Sequence, residues 1–125
     1  MGGLELRISS TVLGSPEPQA LGAFYTQLLG WEVIDDEPGW VKIKPPGGGH
    51  GLAFQLERHH VRPAWPASVG EQQMQAHLDI GVSDLDRGVA RAEALGGRLA
   101  AYQPQEDVRV MLDPDGHPFC LFELG

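Results

Sequence analysis

A chain of 125 residues has room for one domain, and with 42% hydrophobic and 21% charged residues it is composed as a globular protein whose core needs no disulfide or metal staple. Seventeen acidic side chains against nine basic ones give a formal charge of −8. That field repels phosphate backbones and anionic lipid, so nucleic acid and membrane surfaces are set aside and small molecules or proteins remain as partners. One cysteine excludes an internal disulfide, and no apolar run approaches the ~20 residues of a membrane span. The opening stretch MGGLELRISS lacks the basic and apolar regions of a signal peptide, so the chain is expected in a reducing cytoplasm.

In chain order, Ser15 with Pro16 opens a helix whose apolar stripe is Leu21, Phe24, Tyr25 and Leu28, and Gly30 ends it. Strands are predicted at Trp31–Ile34, Trp40–Ile43 and Leu52–Leu56, the last two joined by the turn Gly47-Gly48-Gly49-His50. Residues 58 to 73 form a polar, proline-containing linker, and a strand follows over 74 to 82. Ser83 or Asp84 caps a second helix, Leu85 to Leu95, striped by Leu85, Val89, Ala92 and Leu95 and stopped by Gly96-Gly97. Strands at Arg98–Ala101, Val108–Leu112 and Phe119–Leu124 complete the chain, with Asp115-Gly116 as the hairpin signal before the last.

The two halves repeat. Glu17 to Asp84 and Gly30 to Gly97 are both separated by 67 residues, whereas Gln55 to Glu123 is 68, which implies one residue of slip in the last hairpin. The expected fold is α+β: two tandem βαβββ modules forming one curved mixed sheet with a concave cavity. A single domain, 1–125, would hold module one at about 4–57, the linker at 58–73 and module two at about 74–125.

Alternation along the strands separates the side chains into faces. His77, Asp79 and Gly81 fall opposite Leu78, Ile80 and Val82; Gln55 falls opposite Leu52, Phe54 and Leu56; Phe119, Leu121 and Glu123 fall opposite Cys120, Phe122 and Leu124. If the apolar faces cover the helices, His77, Glu123 and Gln55 point to the concave side. Cys120, opposite Glu123 by parity, then reads as a buried, inert thiol. Trp40, Trp65, Tyr102 and Phe119 are read either as the lining of an apolar pocket or as ordinary core or dimer packing. The glycine run 47–49 joins strands and opens no helix, so it is a hairpin loop and not a phosphate cradle.

The doubled βαβββ unit, Phe24-Tyr25 before Leu28-Leu29-Gly30-Trp31, the stretch Gln72 to Asp79, and Asp113-Pro114-Asp115-Gly116-His117-Pro118-Phe119 together resemble the vicinal oxygen chelate superfamily. This superfamily comprises glyoxalase I, bleomycin resistance proteins and extradiol dioxygenases, and the likeness, including the linker Pro63-Ala64-Trp65-Pro66, runs to its small bacterial glyoxalase-like members. The resemblance implies a divalent ion, Mn, Fe, Co, Ni or Zn, held by one residue from the first and last strand of each half. Carried onto this chain, those positions are His77, Glu123 and Gln55, with Ser10 or Ser9 as the fourth, a weak ligand for a transition metal.

Two functions follow. One is a metal-dependent lyase, isomerase or dioxygenase acting on a vicinal-oxygen substrate, with Glu123 catalytic and Gln55, Trp40, Trp65, Tyr102 and Phe119 binding the substrate. The alternative is a metal-free small-molecule binding or antibiotic-sequestration protein of the bleomycin-resistance kind. A homodimer is the expected assembly.

Overall fold

The computed structural model describes residues 3–124. Ten elements follow the order β1 (Ser10–Ser15), α1 (Pro18–Leu29), β2 (Glu32–Glu37), β3 (Trp40–Lys44), β4 (Gly51–Leu56), β5 (Leu78–Val82), α2 (Leu85–Ala94), β6 (Arg98–Leu99), β7 (Val108–Leu112) and β8 (Pro118–Glu123). This is the expected α+β class with tandem βαβββ modules. The strands pair as two four-stranded ladders, β1-β4-β3-β2 and β5-β8-β7-β6, rather than as one continuous ladder. The chain divides into two compact units, Met1–Arg58 and His59–Gly125.

Each sheet is mixed in the same way. β1 runs parallel to β4 and β5 parallel to β8, while the remaining neighbours are antiparallel. The pairing also settles how the repeats align. Val12 pairs with Ala53 in the first module and Asp79 with Cys120 in the second; Gly14 pairs with Gln55 and Gly81 with Phe122. Each of these residues is offset from its counterpart by 67, so the last hairpin contains no slip, and the counterpart of Gln55 is Phe122 rather than Glu123.

Local chemistry explains the helix ends. α1 begins at Pro18, not at Ser15: Pro18 occupies the first turn, where a missing N–H is harmless, and the Ser15 hydroxyl accepts from the Glu17 amide at 2.9 Å. α2 has a side-chain cap, with Asp84 accepting from the Arg87 amide at 3.1 Å. The predicted strand 74–82 is shorter than expected and starts at Leu78.

In the first unit, Leu21, Phe24 and Tyr25 of α1 are buried with Val41, Ile43, Leu52 and Phe54 of the sheet. The Tyr25 ring stacks on Phe54 at 5.6 Å. In the second unit, Leu85 and Ala92 of α2 are buried with Met111, Phe119 and Leu121. Burial of such side chains contributes about 1.5–3 kcal/mol each and is the main stabilising term.

Candidate functional site in the second module

The register of β5, β8 and β7 sorts the second sheet into two faces. Leu78–Phe119–Met111 and Ile80–Leu121–Arg109 form rows on one side, and Asp79–Cys120–Val110 and Gly81–Phe122–Val108 form rows on the other. Phe119, Met111 and Leu121 are fully buried, and α2 packs on β7 and β8. The opposite face is open: Val108, Val110, Cys120 and Phe122 floor a cleft of ≈ 660 Å³ that Trp65, His77 and Asp79 help to wall. Pro104, Gln105 and Asp107, from the segment between β6 and β7, close another side.

At one end of this cleft lies a compact polar cluster. His77 Nε2 is 3.1 Å from Asp79 Oδ1, and donor atoms of His77, Asp79 and Cys120 all lie within 4.8 Å of one another. The geometry follows from strand periodicity: His77 and Asp79 are two residues apart and share a face, while Cys120 is the pairing partner of Asp79 on β8. Burial pushes the Cys120 thiol up; the charge of Asp79 and a hydrogen bond to its carboxylate push it in the same direction. The thiol is therefore held protonated, as a donor to Asp79 rather than as a nucleophile.

The linker supplies the wall. Trp65 stacks on the His77 ring, with centroids 4.9 Å apart and planes 27° apart, and Tyr102 meets Trp65 edge-on at 5.5 Å. The linker is itself tied to the turn between β7 and β8. His60 Nε2 lies 2.8 Å from the Asp115 carbonyl, and the Arg62 guanidinium donates to the Pro114 carbonyl at 2.6 Å. Buried Asp113 organises that turn, accepting from the Asp115 and His117 amides at 2.9 and 3.0 Å and lying 2.9 Å from His117 Nδ1. His117 thus fixes the hairpin.

Trp65, His77 and Tyr102 come together, and Glu123 lines the same cleft. Glu123, however, pairs with Val82 at the far end of β5, where its Oε1 lies 3.5 Å from the Leu85 amide at the start of α2. His77 is level with Pro118, five positions from Glu123 along β8, a separation of roughly 16 Å at ~3.3 Å per residue. Phe119 is fully buried and faces away from the cleft, because the odd positions of β8 carry the α2-facing row. Gln55 and Trp40 are register partners in the first module; Gln55 is exposed, and the Trp40 indole N–H points to Asp35 Oδ2 at 3.4 Å.

The ion implied by the family resemblance can be tested against this arrangement. With Glu123 engaged at the start of α2 and set far along the strand from His77, those two do not form a shared donor set. The parity that placed Cys120 opposite Glu123 was right; the inference that Glu123 shared the face of His77 was not, because β8 is apolar on both faces and gives no sequence cue to its orientation. Asp79 and Cys120 were thereby missed. The available signal was the constant 67-residue offset, which makes Cys120 the counterpart of Ala53 and His77 the counterpart of Ser10.

Comparisons with known proteins bear on the fold. The sequence profile of the glyoxalase-like domain matches residues 10–122. Curated protein sequences give no significant match. Among solved structures, a glyoxalase/bleomycin resistance protein/dioxygenase family enzyme from Burkholderia phytofirmans PsJN is similar, with 19% identity and a TM-score of 0.71, covering 96% of this chain and 100% of that one. A glyoxalase-related enzyme from Fulvimarina pelagi shares 21% identity at a TM-score of 0.67, covering 94% and 88%. TnmS3, an antibiotic binding protein from Streptomyces sp. CB03234, shares 18% identity at a TM-score of 0.61, covering 100% and 99%. At these identities the likeness establishes the fold.

Proposed function

We propose that this chain, which belongs to the glyoxalase-like domain family of the vicinal oxygen chelate superfamily, is a small-molecule-binding protein of the sequestration kind. A planar ligand would enter the second-module cleft and lie against the Trp65–His77 wall. The observation that carries this reading is the stacked Trp65–His77 pair, buttressed edge-on by Tyr102, beside an open cleft floored by Val108, Val110 and Phe122. Aromatic anchors beside an apolar floor provide the contact area that binds planar molecules, with a few polar groups setting orientation. Asp79 and Gln105 supply those groups. The structural neighbour described as an antibiotic binding protein supports the same reading.

The enzyme alternative, a metal-dependent lyase, isomerase or dioxygenase, requires His77, Glu123 and Gln55 to hold an ion. The position of Glu123 beside the Leu85 amide weighs against that set. We also propose a cytoplasmic homodimer. Its support is the edge position of β2, whose Val33 and Ile34 are about half exposed, since an uncovered edge strand invites pairing. No helix among the described residues is long and apolar enough to cross a membrane.

A thermal-shift screen of dicarbonyls, catechols and planar antibiotics tests the binding reading. A hit whose affinity falls roughly thirtyfold in Trp65→Ala, equivalent to ~2 kcal/mol, supports it. An absence of hits, or a hit unaffected by Trp65→Ala, refutes it.

A further inference from the structure

We propose that His77, Asp79 and Cys120 form a binding site for a thiophilic, four-coordinate divalent ion of the zinc type. This donor set lies wholly in the second module and differs from the His77, Glu123 and Gln55 set that the family resemblance implies.

Three observations support it. First, the donors converge: all lie within 4.8 Å of one another, and His77 Nε2 and Asp79 Oδ1 are 3.1 Å apart. A tetrahedral ion with bonds of ~2.0–2.3 Å holds its ligand atoms roughly 3.3–3.7 Å apart, so small side-chain adjustments close the site without moving the sheet. Second, the backbone fixes the donors in place. Asp79 and Cys120 are register partners on adjacent parallel strands, and Trp65 stacked on the His77 ring restricts its rotation. Third, the chemistry selects the ion. One imidazole, one carboxylate and one thiolate suit zinc or cobalt, whereas magnesium, calcium and manganese prefer oxygen donors.

Three protein ligands leave a fourth position facing the cleft. On binding, the ion displaces the Cys120 thiol proton to solvent and takes up the thiolate, and Asp79 exchanges its contacts with His77 and Cys120 for a bond to the ion. The first module lacks this site, because the counterparts of His77, Asp79 and Cys120 are Ser10, Val12 and Ala53. The inference is independent of the planar-ligand reading, and its test uses the ion alone.

The experiment is titration of the chelator-treated full-length chain with cobalt, followed by absorbance, with zinc as competitor. The expected result is one equivalent bound, intense visible bands of a tetrahedral centre, and a near-ultraviolet sulfur-to-cobalt band, all bleached by zinc. Cys120→Ser should lose the near-ultraviolet band. His77→Ala and Asp79→Ala should each weaken binding at least tenfold, since even outer-shell partners of a metal ligand are worth ~10–100-fold. Glu123→Gln should bind cobalt as wild type does. If Cys120→Ser fails to fold, His77→Ala carries the test, because that side chain is partly exposed. No uptake, a weak octahedral spectrum without the sulfur band, or loss of binding in Glu123→Gln would overturn the proposal.

Discussion

At Cys120, burial and a neighbouring carboxylate act in the same direction. The thiol is almost fully covered, and both the charge of Asp79 and a hydrogen bond to it favour the protonated form. Alkylation of the native protein at neutral pH should therefore be slow compared with the unfolded chain, and Asp79→Asn should speed it several-fold; equal rates would contradict the account. The sign of the stability effect follows. An acid whose folded value is raised contributes stability that is fully present below the unfolded thiol value of about 8.5 and is lost as pH rises toward and through the folded value. Wild type should lose stability relative to Cys120→Ser across that alkaline window in denaturant titrations. Asp113 has a different task. Its buried carboxylate accepts from two turn amides and pairs with His117, so Asp113→Ala should destabilise by about 3 kcal/mol, with Asp113→Asn retaining part of the loss, as measured by urea unfolding.

The elements legible in the sequence are those whose signals are local. Helix stripes, the Asp84 cap and the Asp-Gly turn depend on neighbours within a few residues, and all lie where expected within a residue or three. The orientation of β8 was not legible, since Phe119, Cys120, Leu121 and Phe122 are apolar on both faces and only long-range pairing with β5 assigns them. One residue of misalignment exchanged the roles of Glu123 and Cys120. The helices differ in tolerance. A Cβ at Gly22 would lie 2.9 Å from Val41 Cγ1, a buried β-branched side chain with little room to yield, whereas a Cβ at Gly88 would lie 3.2 Å from Val82 Cγ1 at a half-buried position. Replacing a helical glycine by alanine gains ~1 kcal/mol in propensity, and overpacking removes ~1–3 kcal/mol. Gly22→Ala should thus lower the unfolding free energy by about 1 kcal/mol in denaturant titrations, while Gly88→Ala should leave it nearly unchanged.

Across the whole chain, one βαβββ plan carries two different chemistries. Where the second module presents His77, Asp79 and Cys120, the first presents Ser10, Val12 and Ala53, so the two modules share a register and not these side chains. The repeat and the fold class could be read from the sequence, whereas the meeting of Trp65 and Tyr102 at His77 could not, since Trp40 and Phe119 carried the same aromatic signal and lie elsewhere. The grouping of His77, Asp79 and Cys120 had one sequence signal, the constant 67-residue offset, because β8 by itself is apolar on both faces and its register against β5 decides which side chains meet. If the chain dimerises through uncovered strand edges, light scattering should return twice the 13.5 kDa chain mass at micromolar concentration, and a monomer would count against that arrangement.

The assignment of function to the second-module cleft is tested most directly by amide and indole NMR during titration with the tightest binder from the dicarbonyl, catechol and planar-antibiotic screen. The account predicts the largest shifts at the Trp65 indole and at Asp79, Cys120 and Phe122. Shifts confined to α2, or to the first module with the cleft unmoved, would contradict it.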